Sequence, residues 1–286
     1  MTIKEVIKEG IDILKPNIES AWLEAHVLLG YVLNKERTFL ISHDDEAITK
    51  QEYDKYMDCL NKRISGIPLQ YITGNQEFMS LNFNVDPSVL IPRPETEILV
   101  EEILKYVSSS SENEHINILD IGTGSGCISV SIAHNSEKAM ITAVDISKDA
   151  LDTAKKNAEK HGITDRIRFI ESNLFSGIEK KEFDVIVSNP PYIETKIISS
   201  LQTEVKDYEP MQALDGGSDG LDCIKRIIED AHLYLKSGGL LAFEVGHDQA
   251  ERTASIIAEN GRYQNIRIIK DYSGIDRVVT ANFKFD

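Results

Sequence analysis

The residues of this chain best suited to chemistry are Asn189-Pro190-Pro191-Tyr192, which follow a short, largely apolar run ending at Ser188. Neither proline can donate a hydrogen bond to a sheet or continue a helix, so a strand that reaches this point must stop at Asn189. The Asn189 side chain can both donate and accept hydrogen bonds, and Tyr192 adds an aromatic ring. The segment is therefore either a plain strand ending or a stiff polar pocket, and its surroundings must decide between the two.

A second candidate is the glycine-rich segment Asp120-Ile121-Gly122-Thr123-Gly124-Ser125-Gly126, which lies between a predicted strand and a predicted helix. Glycine permits sharp turns and close approach of a ligand to the backbone, and a helix N-terminus offers free amides and a positive dipole end. The segment fits the pattern DxGxGxG at every position, whereas the pattern GxGxxG would place Cys127 where a glycine is expected. Such a loop predicts a site for NAD, FAD or S-adenosylmethionine.

Two later segments extend this predicted cofactor site. Asp145 ends the next predicted strand, where a carboxylate can accept hydrogen bonds from both hydroxyls of a ribose. Asn173 and Leu174 follow the third strand, and we expect the Asn173 amide to accept from an adenine amino group while Leu174 packs on the ring. A turn-stabilising role for Asn173 is an equally good interpretation.

Alternating strands and helices from residue 116 onward must position these segments, and they predict a mostly parallel, seven-stranded α/β sheet. The strands are predicted over 116–121, 140–145, 167–171, 184–188, 239–245, 265–270 and 277–283, and the helices over about 127–135, 148–161, 220–236 and 249–260. The last two strands are too close for a crossover helix and should be antiparallel. That ending is typical of Rossmann-like S-adenosylmethionine-dependent methyltransferases more than of dehydrogenases. All the candidate segments lie at carboxyl ends of strands, where open sheets bind ligands.

The chain ahead of the predicted sheet is different in character. Residues 1–72 carry apolar side chains at helical spacing, with a capping box beginning at Thr49, and predict a small helical bundle. Residues 73–91 predict a hairpin linker, and 92–286 form the predicted catalytic domain. A proline-flanked arginine and two acids mark the first helix of that domain, and we expect them to stabilise the domain junction: Arg93, Glu95 and Glu97.

Composition excludes several classes of protein. The formal net charge of −16 argues against sequence-independent binding of long nucleic acids, which needs many Lys and Arg contacts to phosphates. The three cysteines form no CxxC motif and the seven histidines show no ligand spacing, so neither a disulfide framework nor a metal site is predicted. The first residues lack an apolar signal segment, and no apolar run approaches membrane-spanning length. We therefore expect a cytoplasmic protein without stable nucleic-acid or membrane binding.

The polar turn suits transfer of a methyl group to a planar nitrogen. The nitrogen of an amide or aromatic amine is a poor nucleophile, because its lone pair is delocalised. Two acceptors pulling on its hydrogens would raise its electron density and fix the lone pair toward a sulfonium methyl, and the Asn189 side-chain oxygen and the Pro190 carbonyl can supply that pair. Tyr192 could stack on the planar group. The predicted acceptor is a glutamine side chain or an exocyclic base amine.

The chain resembles the HemK/PrmC family of protein-(glutamine-N5) methyltransferases, which modify class I peptide chain release factors. The resemblance covers nearly the whole chain. The motifs that carry it are Pro68–Gly74, Ile91–Glu97, Asp120–Gly126, Asn189–Tyr192, Glu209-Pro210 with Ala213-Leu214, Gly216–Gly220 and Gly274–Val279. Asn-Pro-Pro-Tyr alone is shared with adenine-N6 methyltransferases, whereas the Ile91–Glu97 motif is far more specific.

The family implies roles for individual residues. It implies binding of S-adenosyl-L-methionine, released as S-adenosyl-L-homocysteine, by Gly122, Thr123, Gly124, Ser125, Gly126, Asp145, Asn173, Leu174 and Asn189. It implies that the catalytic residues Asn189, Pro190, Pro191 and Tyr192 hold the glutamine of a Gly-Gly-Gln loop, and that residues 1–72 help to dock the release factor. The chain departs from the family at Asn173, where relatives commonly carry an acid.

Three alternative functions can be compared with this interpretation of the sequence. An adenine-N6 DNA or RNA methyltransferase would share the pocket, but it must also hold a flipped base and its strand, which the acidic composition disfavours. An NAD dehydrogenase is disfavoured by Asn-Pro-Pro-Tyr, by Cys127 and by the antiparallel final pair of strands. The third alternative is a scaffold without cofactor that binds release factors through residues 1–72.

Overall fold

A computed structural model describes residues 1–111, 115–179 and 183–284 of the chain. These residues divide into two units. The first contains Met1–Asn75 together with Gln202–Tyr208, and the second contains Gln76–Leu201 together with the described residues from Glu209 onward. The segment 202–208 is therefore part of the first unit although it is distant from the rest of that unit in sequence.

The described residues form helices and strands in the following order. The helices are α1 (Ile3–Leu14), α2 (Ala21–Leu33), α3 (Arg37–Ser42), α4 (Lys50–Ile64), α5 (Leu69–Thr73), α6 (Thr96–Ser109), α7 (Cys127–Asn135), α8 (Lys148–Lys160), α9 (Thr195–Ile198), α10 (Thr203–Lys206), α11 (Met211–Leu214), α12 (Asp222–Ala231) and α13 (Ala250–Asn260). The strands are β1 (Asn75–Phe78), β2 (Leu81–Asn84), β3 (Ile116–Ile121), β4 (Ala139–Asp145), β5 (Ile167–Glu171), β6 (Phe183–Ser188), β7 (Leu235–Glu244), β8 (Tyr263–Lys270) and β9 (Asp276–Phe283).

The first unit is the predicted helical bundle. Its helix α4 begins with the predicted capping box, in which Glu52 N donates to Thr49 Oγ1 at 3.3 Å and Thr49 N donates to Glu52 Oε2 at 2.7 Å. Fully buried side chains from α2 and α4, among them Leu28 and Tyr56, form its apolar core. The Tyr56 hydroxyl donates to the Ala25 carbonyl oxygen at 3.1 Å, so this buried polar group is satisfied.

The buried side chain of Arg63 joins three parts of the first unit. Arg63 on α4 donates through Nε to Glu24 Oε2 on α2 at 2.6 Å, and its Nη2 lies 2.9 Å from Glu204 Oε2 on α10. Removing one partner of a buried pair leaves an uncompensated charge, which is far more costly than losing an exposed pair. Arg63 therefore fixes the segment 202–208 against α2 and α4.

The second unit is organised around a sheet that has seven strands within the described residues, in the order β5-β4-β3-β6-β7-β9-β8. Strands β5, β4, β3, β6 and β7 are parallel, and β9 runs antiparallel to both of its neighbours. The predicted parallel sheet with an antiparallel final pair is confirmed. Because the chain builds β4 and β5 on one side of β3 and then adds β6 on the other, the strand order reverses between β3 and β6.

Strand β6 is buried on both faces because apolar clusters lie on each side of the sheet. Val185 and Val187 belong to one cluster together with Leu99 of α6, and Ile186 belongs to the other together with Ile224 of α12. A strand that is covered on both faces does not alternate apolar and polar side chains along its middle residues. This double burial explains the near-continuous apolar run that precedes Asn189.

Helix α12 and strand β7 differ from their predicted bounds. The sequence predicts a helix over 220–236 and a strand over 239–245, but α12 ends at Ala231 and β7 already begins at Leu235. Gly238, with φ +80°, lies in an irregular stretch of β7 where the pairing register with β6 shifts. A glycine is more common in turns than in strands, so the local sequence around Gly238 predicts a turn. The sequence pattern therefore does not predict the first half of β7.

Candidate active site

Four neighbouring parallel strands bring the predicted site residues to one edge of the sheet. Ile121 at the end of β3 pairs with Val144 of β4 on one side and with Ser188 of β6 on the other, and Asp145 pairs with Glu171 of β5. The segments that follow these strand ends line one cavity of about 440 Å³. This is the crevice at the reversal of strand order, where open α/β sheets bind their ligands.

The glycine-rich loop turns over the end of β3. Gly122 N and Thr123 N both donate to the Val144 carbonyl oxygen, at 2.8 and 2.9 Å, which ties the loop to β4. Gly122, Thr123, Gly124 and Ser125 line the cavity, as the sequence predicts for a cofactor loop. Gly126 does not belong to the described lining; it precedes α7 with φ +79°, and a Cβ added there would lie 3.0 Å from the Ala154 Cβ.

Asp145 lines the cavity beside the glycine-rich loop. Its Oδ2 accepts from Gly124 N and its Oδ1 accepts from Ser147 N, both at 2.9 Å. Burial raises the pKa of the Asp145 carboxyl, and the two backbone hydrogen bonds lower it. Each carboxylate oxygen keeps a second lone pair, so the group can still accept hydrogen bonds from a ligand.

The turn after β5 holds Leu174 in an uncommon backbone conformation. Leu174 has φ +54°, and Ser172 stabilises the turn by donating from Oγ to the Leu174 carbonyl oxygen at 2.7 Å. Leu174 and the exposed Asn173 both line the cavity. Asn173 Oδ1 accepts from Arg226 Nη2 at 3.4 Å, a distant partner that the local sequence does not predict. A strained non-glycine residue of this kind is typical of functional sites.

Asp120, the first residue of the glycine-loop motif, is fully buried and stabilises the loop by hydrogen bonds. Its Oδ2 accepts from Thr123 Oγ1 at 2.7 Å and from Ser129 Oγ at 2.6 Å. Burial raises the pKa of the Asp120 carboxyl to about 6, although these two hydrogen bonds lower it. The acid of the DxGxGxG pattern therefore links the loop to α7, through Ser129, which no sequence signal marks.

The Asn-Pro-Pro-Tyr turn begins directly after Ser188, where β6 ends as predicted. Asn189, Pro190 and Pro191 line the cavity. Asn189 Nδ2 donates to Thr96 Oγ1 at 3.1 Å, and within the described part of the chain no hydrogen bond reaches Asn189 Oδ1. The amide oxygen is therefore available to a ligand in the cavity.

Tyr192 has a different position from its three predecessors. Its hydroxyl donates to Glu244 Oε1 at 3.3 Å, its carbonyl oxygen accepts from Gln249 Nε2 at 2.8 Å, and it does not belong to the described cavity lining. Glu244 ends β7 and Gln249 follows that strand, 52 and 57 residues after Tyr192, so local pattern cannot reveal them. The predicted stacking of Tyr192 on a planar substrate group stays a prediction.

The segment that leads into α6 contributes further contacts. Arg93 lines the cavity, and its Nη2 donates to both carboxylate oxygens of the buried Glu209, at 2.8 and 2.7 Å. Glu97 Oε1 accepts from Met79 N at 2.7 Å, in the turn between β1 and β2. Thr96 between them is buried, lines the cavity and accepts from Asn189. The sequence predicts a role at the domain junction for Arg93 and Glu97, but it does not predict their contacts with Glu209 and Met79.

Glu244, the last residue of β7, is the titratable group at this edge that sequence reasoning missed. It is 1% exposed, and burial raises the pKa of its carboxyl to about 7, although the nearby Thr96 hydroxyl, the charge of Arg277 and the Tyr192 hydroxyl lower it. A single acid inside the apolar run 240–245 is the signal that could have marked it. Buried acids with shifted pKa values are concentrated at functional sites.

The residues around the cavity fit S-adenosylmethionine. The volume lies within the usual range of about 300–1,000 Å³ for small-molecule sites. Backbone amides of a left-handed glycine loop, the Asp145 carboxylate and the apolar Leu174 side chain offer contacts for the amino-acid, ribose and base portions of a nucleoside ligand. No group of three or more His, Cys, Asp or Glu side chains arranged to hold a metal ion occurs within residues 1–111, 115–179 and 183–284.

Comparisons with known proteins agree with this site. The family model described as "Methyltransferase small domain" matches residues 95–205, and the model described as "PrmC N-terminal domain" matches residues 5–74. A release factor glutamine methyltransferase from Clostridium botulinum is 40% identical over 98% of this chain and 99% of its own length. Another from Clostridium acetobutylicum is 41% identical over 98% of each chain. A methyltransferase structure from Pyrococcus furiosus, 21% identical, shares the fold with a TM-score of 0.52 over 79% of this chain and 95% of the other.

The fold and the site define an S-adenosylmethionine-dependent methyltransferase. The chain belongs to the release factor glutamine methyltransferase family, and the resemblance found in its sequence is confirmed. In the part of the chain that the structure describes, no helix has the length and apolar character needed to cross a membrane.

Proposed function

We propose that this enzyme transfers a methyl group from S-adenosyl-L-methionine to the side-chain nitrogen N5 of the glutamine in the Gly-Gly-Gln motif of class I peptide chain release factors. The observation that carries the proposal is the position of Asn189: its amide oxygen accepts no hydrogen bond from the described residues, and the side chain lines the cavity next to the glycine-rich loop. The names of the curated relatives support the same acceptor.

Two oxygen atoms of the Asn-Pro-Pro-Tyr turn would orient the acceptor amide. Asn189 Oδ1 and the Pro190 carbonyl oxygen would each accept one hydrogen of the glutamine NH₂ group, which localises the nitrogen lone pair and directs it. No backbone N–H of the described residues donates to the Pro190 carbonyl oxygen, which supports its use for a ligand. When bound, S-adenosylmethionine supplies an electrophilic methyl group on a sulfonium. A neutral NH₂ group that is held in this way needs no strong base close to it.

The predicted cofactor-binding residues divide into those proposed to contact the cofactor and those proposed to shape its loops. We infer that Gly122, Thr123, Gly124 and Ser125 contact the cofactor directly, that Asp145 accepts from the ribose hydroxyls, and that Leu174 packs on the adenine. Gly126 would act by allowing the turn into α7 rather than by direct contact, because it does not line the cavity in the described residues. For Asn173, the hydrogen bond from Arg226 favours a role in shaping the turn.

We propose that the first unit docks the release factor, with domain limits near the predicted residues 1–72, 73–91 and 92–286. Support comes from large apolar side chains that this unit exposes, among them Trp22 on α2, which is 52% exposed. Arg37 lies over the Trp22 ring, with its guanidinium carbon 5.9 Å from the ring centroid. Exposed aromatic and arginine side chains are the residues that most often anchor protein interfaces. The cytoplasmic location expected from the sequence stays a prediction.

The test is a transfer assay with an intact release factor. The purified enzyme is incubated with S-adenosylmethionine that carries a labelled methyl group, and the methylated residue is located by mass spectrometry. The expected result is one label on the Gly-Gly-Gln glutamine and none on a release factor in which alanine replaces that glutamine. Label on adenine of DNA or RNA, with none on the release factor, would reject the proposed acceptor in favour of the adenine-N6 alternative.

A further inference from the structure

Asn157 on α8 is fully buried, and both polar atoms of its side chain form hydrogen bonds. Its Oδ1 accepts from Asn84 N at 2.7 Å, and its Nδ2 donates to the Asn84 carbonyl oxygen at 3.0 Å and to the Ser125 carbonyl oxygen at 2.8 Å. The side chain therefore pairs with the end of β2 as a neighbouring peptide group would, and its second N–H reaches the glycine-rich loop. One buried amide thus connects α8, β2 and that loop.

The hydrogen bond to Ser125 fixes a peptide group of the glycine-rich loop. The Ser125 carbonyl oxygen and the Gly126 N–H belong to this one planar group. Asn157 holds its oxygen, and the Gly126 N–H donates to the Thr123 carbonyl oxygen at 2.8 Å. Ser125 lines the cavity, and Gly126 has φ +79°, a conformation that glycine adopts readily. The orientation of this peptide group therefore sets the path of the loop beside the cavity.

Residues 88–90, which follow β2, line the same cavity. Asp86 forms the turn into this stretch, because its Oδ1 accepts from Ser88 N at 2.8 Å and its Oδ2 accepts from Thr153 Oγ1 at 3.0 Å. Thr153 and Asn157 both belong to α8 and are four residues apart, so they lie on one face of the helix. That face holds the chain after β2 through both side chains and the glycine-rich loop through Asn157.

We propose that Asn157 is a positioning residue for the cofactor, because its amide sets the distance between two walls of the cavity: the glycine-rich loop and the chain after β2. The role rests on the proposed function, since it requires S-adenosylmethionine in this cavity. Within the described residues Asn157 does not line the cavity, so it acts through the backbone of Ser125 and Asn84 and not by contact. Asparagine suits the role because its short side chain carries one acceptor atom and two N–H donors in a plane.

The first test compares N157L with the wild-type enzyme. Leucine has a similar shape but no polar atom, so three backbone groups lose this partner and the two walls are no longer held together. We expect the calorimetric dissociation constant for S-adenosylmethionine to rise by about tenfold or more. In the labelled-methyl assay, kcat at saturating cofactor and KM for the release factor should stay within about twofold of wild type.

Tyr263→Phe is the matched control for a general loss of stability. It removes another buried hydrogen bond of the second unit, from the Tyr263 hydroxyl to the Ile228 carbonyl oxygen at 2.9 Å. This variant should lower Tm and leave the dissociation constant for S-adenosylmethionine unchanged. An unchanged dissociation constant in N157L, or an equal rise in Y263F, would overturn the proposal. Absence of S-adenosylmethionine binding by the wild-type enzyme would instead reject the proposed function, so the two failures are distinguishable.

Hydrogen exchange provides a second measurement, made without cofactor. In N157L the backbone amides of residues 120–127 should exchange faster than in wild type, because the Ser125 carbonyl loses its donor. In T153V, which breaks only the bond to Asp86, exchange of these amides should match wild type. If N157L folds poorly, N157D replaces it, since an ionised carboxylate keeps the acceptor for Asn84 N but donates no hydrogen bond. Equal exchange in the Asn157 variant and T153V would overturn the proposal.

Discussion

Ile121 and Ser188 are register partners on adjacent parallel strands, and the Ser188 hydroxyl donates to the Ile121 carbonyl oxygen at 2.7 Å. Each is the last residue of its strand, so the glycine-rich loop and the Asn-Pro-Pro-Tyr turn leave the sheet side by side. Methyl transfer needs the donor and the acceptor in line and about 3 Å apart. This single pairing brings the proposed cofactor-binding and substrate-binding segments to one place.

Asn189→Ala should reduce turnover far more than cofactor binding. The variant removes the amide oxygen that we assign to the substrate NH₂ group, and losing one positioned hydrogen-bonding group commonly costs about a hundredfold in kcat. The measurement is kcat on a release factor, with S-adenosylmethionine affinity by calorimetry as the internal control. If turnover barely changes, Asn189 does not polarise the acceptor.

Asp145→Ala should act chiefly on the affinity for the cofactor. Hydrogen bonds to a charged group contribute about 1.5–3 kcal/mol, so we expect the dissociation constant for S-adenosylmethionine to rise by about tenfold to a hundredfold. Part of the loss would come from the Gly124 amide, which loses its acceptor. Asp152→Ala, which removes an exposed acid of α8, is the control. An unchanged dissociation constant for the Asp145 variant would remove this residue from the ribose site.

Gly126→Ala should weaken both the fold and the cofactor site. A non-glycine residue at φ +79° costs roughly 1–2 kcal/mol, and the new Cβ would press on Ala154 at 3.0 Å. Gly162→Ala is a matched control, because Gly162 also has a positive φ, +69°, but a Cβ added there meets no atom within 4 Å. Calorimetry should show a lower Tm for both variants and weaker S-adenosylmethionine binding for Gly126→Ala alone. Equal cofactor affinities would argue against the close approach of the loop to α8.

Glu244 should make the stability of the enzyme depend on pH. Burial raises the pKa of its carboxyl to about 7, compared with about 4.3 in an unfolded chain. An acid with a raised folded-state pKa contributes stability that is fully present below about pH 4.3 and is lost as the pH rises through about 7. E244Q cannot ionise, so its unfolding free energy should rise relative to wild type by up to about 3 kcal/mol between pH 4.5 and pH 8.

Calorimetric Tm values of the two proteins across this pH range check the prediction. The buried Asp120, whose pKa is also raised, is present in both proteins, so its contribution cancels in the comparison. The difference in Tm between E244Q and wild type should shift by several degrees in favour of E244Q at the higher pH. A difference that stays constant with pH would show that Glu244 does not titrate in this window.

Trp22→Ala should separate docking from chemistry. Loss of an aromatic interface anchor typically costs about 2 kcal/mol or more, so KM for an intact release factor should rise by about tenfold or more. KM for a short Gly-Gly-Gln peptide, which lacks the remaining surface of the release factor, should be unchanged. Leu233→Ala, an exposed apolar side chain of the second unit, is the matched control. A rise in KM for both substrates would place Trp22 outside the docking surface.

The sequence by itself determined the parts of the enzyme that depend on local pattern. The apolar run of β6 followed by two prolines, the glycines that need positive φ at Gly122 and Gly124, and the capping box at Thr49 all appear in the structure. The order of strands and helices sufficed to predict a parallel sheet with an antiparallel end. These features follow from the backbone preferences of a few adjacent residues, and such preferences do not depend on where the segment lies in the fold.

Only the tertiary structure decided which distant groups meet. Asn189 donates to Thr96 because the end of β6 lies beside the start of α6, and Glu244 lies nearby because β7 pairs with β6 up to Ser188 and Phe243. The hydroxyl of Tyr192 points to this acid for the same reason. A hydrogen bond requires its two atoms within about 3 Å, and sequence spacing cannot fix that distance between separate elements. The chemistry of the turn was therefore predictable, whereas the residues that orient it were not.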